Sequence, residues 1–216
     1  MNRRKNILIV VIAGFLAMAA GFWLASSNNQ QSAPVSLQAE QVVGFHGTIL
    51  PVARQLAVPE LGKSDGSDFV TADLTGHWSL LFFGYTRCPD ICPTTMSTLA
   101  AAKKQSPGPF PQVYFISVDP QRDTVKNLSA YVKYFDKDFI GITGSEKMLG
   151  AMALQSSVVF MKMPAESGSE NDYLMDHSSA LLLINPQAQL VAFINPPHTP
   201  DAILKAITAV KLLNEK

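Results

Sequence analysis

The chain has two cysteines, four positions apart, in Gly84-Tyr85-Thr86-Arg87-Cys88-Pro89-Asp90-Ile91-Cys92-Pro93. They follow an apolar run, Trp78 to Phe83, that reads as a buried strand. A third residue able to hold metal, His177, stands far downstream in Asp176-His177-Ser178, just ahead of another apolar run. Brought to one edge of a sheet, two thiolates and an imidazole make a soft, three-ligand metal site. Thiolates select copper(I) or zinc, and imidazole accepts copper in either oxidation state. Structural zinc sites are usually closed by four protein ligands, and three good ones are visible here, which favours copper.

The cysteine pair has other uses. A disulfide closing so short a loop would remove little unfolded-state entropy, and a chain of this size can build its core without one. Thiol–disulfide exchange is the stronger competitor. Thioredoxin-type redox motifs place two residues between their cysteines, whereas this loop has three. The extra residue suits a pair of sulfurs spread around an ion. Exchange also has no need of His177. A peroxidase would require one activated cysteine, and nothing in the sequence singles one out.

The elements that must position these residues alternate. Trp78 to Phe83 is the first core strand, and Pro93 to Lys104 a helix with Pro93 in its first turn. The cysteines therefore fall in a strand-to-helix turn, where unpaired backbone N–H groups favour thiolate. Val113 to Val118 is a second buried strand, and Asp123 to Phe135 a helix with Val125, Leu128, Tyr131, Val132 and Phe135 on one stripe. A short strand at Phe139 to Ile142 precedes a helix from Ser145 to about Leu154. Ala180 to Ile184 and Leu190 to Ile194 flank Asn185-Pro-Gln-Ala188 as a hairpin, and Asp201 to Leu213 is a closing helix. Gly62 to Ser67 is a turn cluster joining two short early strands. Ser156 to Asp176 shows no lasting period and reads as a long loop, mobile without metal and ending at His177. The order predicts an α/β domain with helices on both faces of one sheet, a thioredoxin-like fold with additional N-terminal strands.

The N-terminus carries a separate signal. Met1-Asn2-Arg3-Arg4-Lys5 is basic, and an uncharged, mostly apolar stretch follows from Ile7. It is long enough to cross a bilayer as one helix. Its length favours a retained anchor over a cleaved signal peptide, although Ala25-Ser26-Ser27 is a passable cleavage site. The expected organisation is a cytoplasmic N-terminus at 1–6, a transmembrane anchor at 7–25, a polar tether at 26–34 and the soluble domain at 35–216. Basic residues before the span put that domain outside the cytoplasm. The absence of an Arg/Ser-rich transit peptide points to a bacterial inner membrane, with the domain in the periplasm. Lys and Arg number 17, as do Asp and Glu, so no basic stripe announces nucleic acid.

Three blocks of the sequence resemble one family. Phe83 to Thr95 resembles the metal-binding turn of the Sco/SenC copper chaperones. Ile116-Ser-Val-Asp119-Pro-Gln-Arg122-Asp123-Thr124 resembles a second block of that family, and Tyr173-Leu-Met-Asp-His177-Ser178 a third. They come in the family's order, and the resemblance covers about Ala53 to Leu213. It implies a membrane-tethered thioredoxin-like domain binding one copper ion through Cys88, Cys92 and His177. The implied role is assembly of the CuA centre in subunit II of cytochrome c oxidase, by delivering copper, with other periplasmic copper donors as possible partners. Reduction of the acceptor's cysteines is the alternative. Delivery makes the chain a metallochaperone and not a turnover enzyme; the alternative makes it a thiol–disulfide oxidoreductase acting through Cys88 and Cys92.

The remaining candidates read more plainly. His46, His77 and His198 share no ligand spacing and are expected to face solvent. Asp90 is expected to accept backbone N–H bonds in its turn rather than ligate. Asp176 either orients the site or caps a local turn. Met161, Met163 and Met175 carry thioethers that bind copper(I), but methionine is a common packing residue. Asp119, Arg122 and Asp123 are expected to serve a turn and a helix start.

Overall fold

The computed structural model describes residues 46–164 and 173–214. The expected anchor at 7–25 and tether at 26–34 lie outside the described residues. Among the described residues no helix is long and apolar enough to cross a membrane.

The central pair of strands is where the sequence is most apolar. β4 (Ser79–Gly84) is buried at all six positions, and β5 (Gln112–Ser117) at five of six. Strands buried on both faces read as continuous apolar runs, and these two pair in parallel through Ser79↔Gln112 to Gly84↔Ser117. The full sheet has eight strands in the order β1-β10-β9-β4-β5-β6-β2-β3. β1 (Gly47–Gln55), β2 (Leu61–Lys63) and β3 (Asp68–Phe69) are the additional N-terminal strands. β6 (Ile140–Gly144) runs parallel to β5. β9 (Leu181–Ile184) and β10 (Gln189–Ile194) form the expected hairpin, with β9 antiparallel to β4.

Among the described residues four α-helices accompany the sheet: α1 (Ile91–Gln105), α2 (Val125–Phe135), α3 (Glu146–Gln155) and α4 (Pro200–Asn214). α1 packs on α2 and α4, while α2 and α3 pack against β6. Thr124 and Ser145 cap α2 and α3, their hydroxyls accepting the N–H of Asn127 and Met148 at 3.3 Å each. Such caps supply a partner to an otherwise orphaned helix-end donor. Phe82, Phe83, Leu99, Phe115 and Ile116 are fully buried under this layer. Each contributes about 1.5–3 kcal/mol of burial. The rigid β4–β5 pair thus carries the cysteine turn at its C-terminal end.

One region departs from expectation. Ser156 to Asp176 is not an irregular loop: β7 (Phe160–Pro164) and β8 (Tyr173–His177) pair antiparallel within it, from Phe160↔His177 to Pro164↔Tyr173. They form a two-stranded sheet separate from the main one. Alternation is present, since Tyr173 is buried, Leu174 and Asp176 are exposed, and Met175 and His177 lie between. It escapes a polarity pattern because the outward positions include Met161, Met163 and Leu174, which are 53%, 43% and 54% exposed.

Candidate metal centre

α1 begins at Ile91, two residues before the expected Pro93. Cys92 therefore sits in the first helical turn, where its backbone N–H has no partner within the helix. That N–H donates to Cys88 Sγ at 3.4 Å. Cys92 is buried, and Cys88 is partly exposed in the turn before it. The two thiols are free. The Cys88 thiol is held far below its ordinary range, to about 3, chiefly by a hydrogen bond from Cys92. The backbone N–H groups of Cys92 and Asp90 add to this, against the opposing effect of burial. Cys92 is pushed up, first because it donates to Cys88 and then by its own burial. The opposed shifts favour the proton on Cys92 and the thiolate at Cys88.

His177 closes β8 and reaches the cysteines from the hairpin. Its Nδ1 lies 3.1 Å from the carbonyl oxygen of Ser178. A carbonyl only accepts, so Nδ1 carries the hydrogen and Nε2 turns its lone pair to the sulfurs. Nε2 is 3.4 Å from Cys92 Sγ. Tyr85 stands edge-on to the imidazole at 6.0 Å between centroids, and Phe82 at 6.2 Å. The donor atoms of Cys88, Cys92 and His177 lie within 4.8 Å of one another. Donors bonded to one ion at about 2.0–2.3 Å sit up to about 4.6 Å apart. Two sulfurs and one nitrogen at this spacing suit a soft ion such as copper, and the free thiols and oriented imidazole need little adjustment to receive it. Among the described residues this is the single cluster of His, Cys, Asp and Glu with metal-ligand spacing.

The other candidates fall elsewhere. Asp176 is exposed and, being adjacent to His177 in a strand, points to the opposite face of the hairpin. The group that orients the imidazole is the Ser178 carbonyl. Asp90 precedes α1, and its carboxylate accepts from the Thr94 hydroxyl at 3.4 Å instead of from backbone N–H. Met175 packs on the core from the inner face of β8, while Met161 and Met163 face solvent. His46 and His77 are exposed as expected. His198 is not: it is partly buried, donates from Nε2 to the Ile194 carbonyl at 3.1 Å, and burial lowers its pKa.

Sequence reasoning underrated Asp123. It lies outside α2 and is 1% exposed. Its Oδ2 accepts from the Thr86 N–H at 3.0 Å and the Ser117 hydroxyl at 2.7 Å, and its Oδ1 from the Thr86 hydroxyl at 2.6 Å. It thereby ties the cysteine turn to the end of β5. Burial pushes the Asp123 carboxyl up by more than these bonds pull it down. Its folded pKa then exceeds the unfolded value of about 3.9. A raised pKa gives stability that is complete below the unfolded value and is lost as pH rises through the folded one. Asp123→Asn removes that titration and weakens the acceptor. Urea unfolding of the metal-free protein should show a deficit of about 1–3 kcal/mol at pH 4, shrinking by pH 7. A deficit that grew with pH would mean that the hydrogen bonds outweigh burial.

Comparison with known proteins agrees with this geometry. A family model described as SCO1/SenC matches residues 59–211. The mitochondrial SCO1 homolog 1 of Arabidopsis thaliana is 38% identical over 148 residues, which are 67% of this chain and 43% of that protein. The chain thus spans less than half the length of that relative. A Stutzerimonas stutzeri protein named for copper binding is 36% identical over 173 residues, 78% of this chain and 83% of its own. Among solved structures, copper-bound ScoI of Arabidopsis thaliana superposes with a TM-score of 0.64 at 37% identity, covering 73% of this chain and 96% of that one. A mixed α/β thioredoxin-like domain with two cysteines and a histidine converging at the end of β4, matched over most of its length by that family model, places this chain in the SCO1/SenC family.

Proposed function

We propose that this protein binds one copper ion through Cys88, Cys92 and His177 and delivers it to cytochrome c oxidase during assembly of the CuA centre, with subunit II as acceptor. The observation that carries the reading is the convergence of two sulfurs and an oriented imidazole within 4.8 Å. Copper-bound structures of relatives support the choice of ion. Family membership supports the oxidase as the destination. Cys88 and His177 are partly exposed while Cys92 is buried, so an incoming thiolate can add on the open side before a resident ligand leaves. The apolar stretch at 7–25, as the expected anchor, would hold the domain to the bacterial inner membrane, on the periplasmic side, near a membrane-bound acceptor.

A second reading has its own observation. A thiolate at Cys88 beside a protonated Cys92 is the arrangement of a dithiol reductant. Cys88 would attack a partner disulfide, and Cys92 would then displace the partner from the mixed disulfide. One partner disulfide becomes two thiols as Cys88 and Cys92 become one disulfide, a balanced two-electron exchange. His177 separates the two readings, because dithiol exchange does not require it. Cells carrying His177→Ala at normal protein level should have low oxidase activity at limiting copper, partly restored by added copper. Wild-type activity in that strain at low copper would count against delivery and favour reduction.

A further inference from the structure

The hairpin that supplies His177 is a two-stranded sheet hydrogen-bonded to no strand of the main one. Isolated two-stranded ribbons are marginally stable in water, so something must hold this one. At its base the two arms are joined one pair further, the Ser178 N–H donating to the Val159 carbonyl at 3.0 Å and the Ser178 hydroxyl accepting from the Val159 N–H at 3.2 Å. Four residues from His177, about 13 Å along the strand, the hairpin is tied to the domain at Tyr173. Its hydroxyl donates to Asp119 Oδ1 at 2.7 Å. Arg122 forms an ion pair with the same carboxylate. Arg122 Nη1 also donates to the Tyr173 carbonyl at 2.9 Å, and the guanidinium lies 3.5 Å from the Tyr173 ring centroid. The other side of Arg122 approaches Tyr85, at 5.7 Å, which itself flanks the His177 ring.

Tyr173, Met175 and His177 share the inner face of β8. Fixing Tyr173 therefore sets the roll of the strand, and with it the direction of the imidazole. We infer that Arg122, paired with Asp119, is a positioning residue for His177, a latch that keeps the third ligand at the cysteines without touching the ion. A buried ion pair is a poor stabiliser by comparison with apolar packing. Arg122 is 11% exposed and Asp119 2%, and one guanidinium nitrogen, Nη2, is buried with no hydrogen-bond partner among the described residues. That cost fits a pair that fixes geometry. The same short turn also carries Asp123, which ties down the cysteine turn. Residues 119–123 thus join the two segments that supply the ligands. This inference rests on the three-ligand reading proposed above.

The test is a double-mutant cycle on the reduced full chain, with copper(I) affinity read by competition against a chromophoric chelator. Arg122→Lys keeps the charge beside Asp119 but loses the planar fork that grips Tyr173. Tyr173→Phe removes one bond of the latch and spares the ring. Each should lower copper affinity, Arg122→Lys by about 10–100-fold as other supporting-shell losses do. Neither should lower it further in a His177→Ala background. In the metal-free protein, amide exchange at 173–177 should quicken in Arg122→Lys while β4 and β5 stay protected. Unchanged affinity and exchange in both folded variants would overturn the latch, as would losses that add fully to that of His177→Ala. Full affinity in His177→Ala, with faster exchange at 173–177 in Arg122→Lys, would instead remove the three-ligand site and leave the latch on the strand standing.

Discussion

Cys88→Ala, Cys92→Ala and His177→Ala should each lower copper(I) affinity by more than 100-fold. Loss of a supporting outer-shell group costs about 10–100-fold, and each of these changes removes one of three direct donors. The three should differ in kind. Cys92→Ala also removes the proton donor that holds Cys88 as thiolate, so the remaining thiol must give up its own proton to load metal. His177→Ala leaves both sulfurs and their shared proton in place. Copper(II) bound to the intact protein should give a sulfur-to-metal charge-transfer band that both cysteine variants lose or shift. His77→Ala and His198→Ala should retain full affinity, since the first is exposed and the second bonds the Ile194 carbonyl away from the sulfurs. Stoichiometry by metal analysis and affinity by chelator competition decide the matter. Full copper affinity in His177→Ala would refute the three-ligand site.

Gly84→Ala should damage stability and the metal site together while altering no ligand. A Cβ at Gly84 would stand 2.8 Å from Cys92 Sγ, 2.8 Å from Phe115 Cε2 and 3.0 Å from Phe115 Cζ. Neither neighbour has room, since Cys92 and Phe115 are both fully buried. Overpacking of this kind costs about 1–3 kcal/mol, and Tm should fall by about 2–4 °C for each kcal/mol. Relief by moving Cys92 displaces a ligand, so copper affinity should fall along with stability. Gly150→Ala is the control. It lies within α3 with nothing within 4 Å of the added Cβ, and alanine is the better helix former by about 1 kcal/mol. Calorimetry on both variants should give shifts of opposite sign. An unchanged Tm and copper affinity in Gly84→Ala would show that the turn yields without cost.

Strand and helix content was legible in the sequence because burial on this sheet is local in cause. Continuous apolar runs such as Leu80 to Phe83 and Leu181 to Ile184 have one good use, the middle of a covered sheet, and Ser145 announces the helix it caps. The cysteine pair was legible too, since its chemistry lies in residue type and spacing. What the sequence left open depends on contacts distant in the chain. Ser156 to Asp176 reads as a loop because Met161, Met163 and Leu174 put apolar side chains on the solvent face and erase the alternation of a half-buried strand. Its hairpin follows from pairing and from a latch 51 residues away at Arg122. Asp119, Arg122 and Asp123 have the composition of a turn, and only the fold buries their charges between the two ligand-bearing segments. Asp176 stands beside His177 in sequence and on the opposite face in space, so the Ser178 carbonyl sets the imidazole tautomer. The sequence by itself determined which residues could bind a soft metal. The tertiary structure decided which way they face, because the direction of a side chain is set by what packs against its strand, and here those partners come from distant segments.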